Sequence, residues 1–148
     1  MVIKIRLLQA ADLKSKSGFW ETLINLAPIR KVSYSQAVRA YHRAQKQNSY
    51  TYVAVDSTDG QIVGTTRLLV EQKFIRSLGL AGHIEDVVTR KGYEGNRIAS
   101  QLISRALQKA KALGCYKVIL DCRQELISFY KKFGFKPAEI EMKIYFKK

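Results

Sequence analysis

Several residue types are scarce in this sequence. It holds two cysteines, two histidines, two prolines and one tryptophan in 148 residues. Cys115 and Cys122 flank a single strand pattern with no secretory context, which predicts two reduced thiols in a cytoplasmic protein. His42 and His83 lie far apart, and the cysteines lack metal-ligand spacing, so no metal site is expected. No apolar run reaches about 18 residues, so neither a transmembrane helix nor a membrane partner is expected. Residues 2–8 alternate apolar and charged side chains, which predicts a strand and not a signal peptide.

Acidic residues are also few. Twelve Asp and Glu stand against 26 Lys and Arg, a formal net charge of +14. That excess suits an anionic partner: nucleic acid, an acidic lipid surface or a phosphorylated small molecule. A solvated basic surface accounts for it equally well. The basic residues spread along the whole chain without a block of five or more, and no nucleic-acid partner is expected. The length predicts one domain, 1–148, with a core of its own.

The pattern predicts the order β-α-α-β-β-β-α-β-α-β. Residues 2–8 form the first strand, 18–26 a first helix stopped at Ala27-Pro28, and 34–47 a second helix. Ser33 and Gln36 fit a capping box for that second helix. Residues 50–55 and 61–71 form a hairpin around the turn 56–60, followed by a loop over 72–82. Residues 83–88 form a strand, 98–113 an amphipathic helix ended by Gly114, and 116–121 a strand buried on both faces. A short helix over 125–133 and a last strand over 141–146 close the chain. A mixed α/β sheet with one parallel unit around the long helix is the expected assembly.

The stretch from His83 through the long helix is the main functional candidate. It runs strand, glycine-bearing loop, helix, and so aims a helix N-terminus beyond the strand's end. The loop from Tyr93 to Ala99 is neither a Walker loop nor a dinucleotide fingerprint. Glu85 and Asp86 alternate along the strand, so one is expected on each face of the sheet. A carboxylate at a strand's C-terminal end can bind an amine or accept its proton. Asp121 ends the next predicted strand and would lie beside that pair if the strands are neighbours. Tyr130 carries a phenol able to donate to a leaving group.

Together these segments resemble the GNAT acyltransferases, and within them the glucosamine 6-phosphate N-acetyltransferase branch. The resemblance rests on Lys73-Phe74-Ile75, Gly82-His83-Ile84-Glu85-Asp86-Val87-Val88, Leu113-Gly114-Cys115-Tyr116-Lys117, Asp121-Cys122 and Phe129-Tyr130-Lys131-Lys132-Phe133-Gly134-Phe135. It implies a GNAT fold, acetyl-CoA as co-substrate, an amino-sugar phosphate as acceptor, a place on the route to UDP-N-acetylglucosamine, and a homodimer. It implies that Glu85, Asp86, Val87 and Val88 line the thioester and pantetheine, with backbone groups near Val87 holding the carbonyl. Tyr93, Glu94, Gly95, Asn96, Arg97 and Ile98 would cradle the pyrophosphate through backbone N–H groups. Tyr130 would serve the departing thiolate, while Asp121, Glu85 and Asp86 would contact the sugar and its amine. Lys73, Phe74, Ile75 and Arg76 would lie against the sugar phosphate, with Lys117 or Arg30 as further cations.

The sequence also departs from that family's pattern. Glu94 puts a negative charge where a basic or amide side chain is usual, and Arg97 replaces a glycine. Leu126 stands where many members have an asparagine. Tyr145 and Ala27-Pro28 fall where some members hold the phosphate. Two other functions remain open on sequence alone: a GNAT enzyme acting on a protein N-terminus, lysine or polyamine, and a non-enzymatic basic module binding nucleic acid.

Overall fold

Alternating apolar residues and turn chemistry build an antiparallel meander, and one helical crossover then adds a parallel strand. The computed structural model describes residues 1–147. β1 (Ile3–Leu7) leads through a 3-10 turn (Ala10–Leu13) to α1 (Phe19–Leu23) and α2 (Tyr34–Lys46). β2 (Ser49–Asp56), β3 (Ile62–Gln72) and β4 (Leu80–Thr89) follow. Then come α3 (Ile98–Ala112), β5 (Cys115–Ile119), a 3-10 turn (Gln124–Leu126) and α4 (Ile127–Lys131). The sheet order is β1-β2-β3-β4-β5, antiparallel through β4 and parallel between β4 and β5. This is the mixed α/β sheet that the pattern predicts.

Ser33 caps α2 as expected. Its hydroxyl accepts from the Gln36 N–H at 3.2 Å, and the Gln36 side chain accepts from the Ser33 N–H at 2.9 Å. The α3 stripe Ile98, Leu102, Ile103, Ala106 and Ala110 is buried against Leu68, Val70 and Ile84 of the sheet. Each large side chain in that seam contributes about 1.5–3 kcal/mol by leaving water. On the opposite sheet face, Leu13, Phe19 and Ala37 pack on Val53 of β2 and Ile62 of β3.

Four expectations need correction. β4 starts at Leu80, not His83, because Gln72 and Glu71 of β3 pair with Leu80 and Ala81. The loop expected over 72–82 shrinks accordingly, and turns through Arg76, Ser77 and Leu78, all at positive φ. α1 ends at Leu23, three residues short. β5 is not buried on both faces: it is an edge strand, with Tyr116 38% and Ile119 42% exposed. Finally, 141–146 forms no strand. Its alternation is real, but a strand needs a hydrogen-bonded neighbour. Ile140, Met142, Ile144 and Phe146 stand 77–91% exposed instead.

Gly64 lets α3 approach β3. A Cβ built there would lie 2.5 Å from Ile98 Cγ2 and 3.1 Å from Leu102 Cδ1. Gly64→Ala is therefore expected to lower stability by about 1–3 kcal/mol through overpacking. Urea unfolding with an unchanged m-value checks it.

Candidate functional site

Leu80 to His83 pair with Cys115 to Ile119, and there the ladder between β4 and β5 ends. β4 continues to Thr89, held only by β3 on its other side. Beyond that point the two parallel strands part, and β4 offers backbone groups to the gap.

A bulge lies at the same place. Arg67 pairs with Glu85 and Thr65 with Val88, so Asp86 and Val87 together oppose Thr66 alone. Asp86 takes φ 54°, outside the extended region. The strict alternation expected of Glu85 and Asp86 therefore does not hold. Thr66 Oγ1 donates to the Glu85 carbonyl at 3.1 Å and fixes the bulge from the β3 side. Asn25 Nδ2 donates to the Thr89 carbonyl at 3.1 Å and ties the segment after α1 to the end of β4.

The loop after β4 is fastened at its start and open at its end. Arg90 N donates to Val63 O at 2.8 Å, and Tyr93 N to Arg90 O at 3.0 Å. Gly92, Gly95 and Arg97 all have positive φ, and Arg97 is the N-cap of α3 with no side-chain cap. The first N–H groups of a 15-residue helix are thus left for an anion. The open space around Gly95 leaves room for one to approach. Glu94 does not project into that space: its Oε2 accepts from Gly92 N at 2.7 Å. Asn96 Nδ2 turns back to the Tyr93 carbonyl at 2.9 Å. The Glu94 departure from the family pattern is thus absorbed inside the loop.

The acids gather where expected. Burial holds the Glu85 carboxyl above the usual carboxylate range, and the charges of Asp86 and Asp121 push the same way. Arg67 and His83 oppose them. Tyr130 is 7% exposed, its ring edge-on to Phe129 at 4.9 Å and to Phe135 at 6.0 Å. Burial pushes its phenol up, with Cys122 adding to the effect, so the hydroxyl stays protonated at neutral pH.

The cations expected near the sugar phosphate are not brought to the acids within one chain. Lys73 Nζ bonds Glu71 Oε1 at 3.1 Å. Arg76 and Lys117 both sit over the Tyr116 ring, at 5.6 and 5.7 Å. Lys117 pairs with Ala81, four residues along β4 from Glu85, or about 13 Å away. Phe74 and Ile75 are 88% and 63% exposed. Arg30 lines a different cleft of about 600 Å³ with Trp20, Arg39 and Arg43. The sequence pattern did not single out Arg67, Glu71 and His83. Their signal is the period-2 spacing of Arg67 and Glu71 on β3, which register turns toward Glu85 and His83.

A parting pair of parallel strands beside a cluster of acids, followed by a helix with free N–H groups, is an arrangement able to take an anionic ligand. Comparison with known proteins agrees. The family model described as Acetyltransferase (GNAT) family matches residues 19–135, and the chain belongs to that family. It is 34% identical over 145 residues to the glucosamine 6-phosphate N-acetyltransferase of Arabidopsis thaliana, covering 97% of this chain and 96% of that one. It is 36% identical over 146 residues to glucosamine 6-phosphate N-acetyltransferase 1 of Oryza sativa subsp. japonica, covering 97% and 87%. The crystal structure of the Arabidopsis enzyme superposes with a TM-score of 0.93 at 34% identity, covering 99% of this chain and 100% of that one.

Because the folded Glu85 carboxyl binds its proton more tightly than the unfolded one, protonation favours the fold. Stability is expected to fall as pH rises from the ordinary carboxylate range through the raised value, and Glu85→Gln to abolish that slope. Carboxyl-carbon NMR should show Glu85 titrating high, and Asp121→Asn moving it down.

Proposed function

We propose that this protein transfers acetyl from acetyl-CoA to the amine of D-glucosamine 6-phosphate. The product is N-acetyl-D-glucosamine 6-phosphate, for UDP-N-acetylglucosamine synthesis. The observation that carries this is the near end-to-end match to enzymes of that name, in which neither chain has a large unmatched part.

The residues divide the chemistry as follows. The α3 N-terminus and the loop from Tyr93 to Ile98 hold the carrier's pyrophosphate by backbone N–H groups. Backbone groups at the Asp86–Val87 bulge hold the thioester carbonyl where negative charge develops. The amine must be neutral to attack, and the Glu85, Asp86 and Asp121 carboxylates bind it and take up the proton it loses. The nitrogen forms the amide bond as the carbon–sulfur bond breaks. Tyr130 donates to the departing sulfur, and CoA thiol leaves. A thiol of pKa about 8.5 is a leaving group that one good donor suffices to assist.

Acceptor profiling tests the substrate. CoA-thiol release with glucosamine 6-phosphate, and not with free glucosamine or a lysine peptide, is the expected result. Release with the peptide alone would assign the three carboxylates to a cationic protein acceptor. Tyr130→Phe is expected to lower kcat about a hundredfold, with acetyl-CoA affinity little changed. Unchanged turnover would remove Tyr130 from the chemistry.

We infer a homodimer as well. β5 leaves one sheet edge open, and the alternating segment 140–146 has no ladder within its own chain. A second copy offers each what it lacks. An interface there also accounts for cations that lie far from the acids of their own chain. Deleting residues 138–148 is expected to yield a monomer in sedimentation equilibrium; a dimer unaffected by the deletion would place the interface elsewhere.

A further inference from the structure

The polar face of β3, β4 and β5 carries a second group of charges that the proposed chemistry does not use. Register aligns it. Arg67 lies across from Glu85, Leu69 across from His83, and His83 beside Ile119. Side chains two apart on β4 share a face before the bulge, so His83 and Glu85 are neighbours on it. His83 Nε2 lies 2.9 Å from Glu71 Oε1, and Lys73 Nζ reaches the same oxygen at 3.1 Å. Together they hold the Glu71 carboxyl below the usual range, His83 contributing most. The His83 side chain is three-quarters covered, so its ring is held in place and not free to turn to solvent.

The charges around that ring are few. β3 supplies Arg67 and Glu71, with Lys73 just past its end. β4 supplies Glu85, with Asp86 at the bulge. β5 supplies Lys117, with Asp121 beyond its end. Three carboxylates close together resist being ionised at once. Arg67 offsets them permanently, its Nε buried without a hydrogen-bond partner. His83 is the imidazole of the group.

We propose that His83, clamped by Glu71, is a positioning residue that acts through Glu85, keeping that carboxyl ionised and ready to receive the proton given up by the acceptor amine. This rests on the acetyl-transfer reading above. The proton balance requires such a group: an acceptor entering as an ammonium releases one proton to solvent for each amide and CoA thiol formed. Glu85 must accept that proton and lose it again in every cycle. A cation beside it favours the empty, accepting form.

The test is the pH profile of kcat at saturating substrates, which reports groups in the bound complex. His83→Gln is expected to move the acid limb upward by about half a pH unit. That shift lowers kcat about threefold below the limb and leaves it nearly unchanged above. His83→Arg, which keeps a cation, is expected to restore the wild-type limb. His83→Asn, which also removes the imidazole, should move the limb the same way, and it decides the matter if His83→Gln fails to fold. A folded His83→Gln protein that loses kcat equally at every pH overturns the proposal, because a structural role alone would do that. So does a limb that stays in place. A wild-type chain that releases no CoA thiol with any acceptor overturns the acetyl-transfer reading beneath, and this inference with it.

Discussion

Two parallel strands that begin paired and then separate are the constraint on which this structure depends. Pairing two strands satisfies backbone groups; ending the pairing partway leaves groups that something must satisfy. β4 manages this by keeping β3 on one side and spending a bulge at Asp86 and Val87. The gap is then bordered by β4 and by the start of α3. A ligand with a carbonyl at one end and phosphates further along matches those needs in order.

The local parts of this arrangement were legible in the sequence. The hairpin, the capped second helix, the amphipathic stripe of α3 and its glycine stop each follow from local chemistry, and each is present. So is the grouping of Glu85, Asp86 and Asp121, which needs only that β4 and β5 be neighbours. The bulge was not legible, because nothing in Glu85-Asp86-Val87 distinguishes a regular strand from one with an extra residue. Register decides that, and register belongs to the pair. For the same reason the last strand expected over 141–146 is one that this chain alone does not form.

Composition at the loop shows the limits of residue-by-residue comparison. Glu94 and Arg97 look unsuited to an anion site when ranked against a family pattern. In place, the Glu94 carboxylate closes a turn, and Arg97 contributes a backbone geometry at φ 57° and ψ 23° where glycine would be more usual. The donors belong to the backbone, so side-chain identity matters less than the path of the chain.

The missing side chain at Gly64 gives that path an unexpected origin. The atom that would collide there is the Cγ2 of Ile98, the first residue of α3, directly after the glycine-bearing loop. The seat of the helix end is thus set from the sheet face that α3 covers, by a vacancy one methyl in size. Helix position is thus encoded partly in empty space: a residue with no side chain fixes how close the first turn of α3 stands to β3.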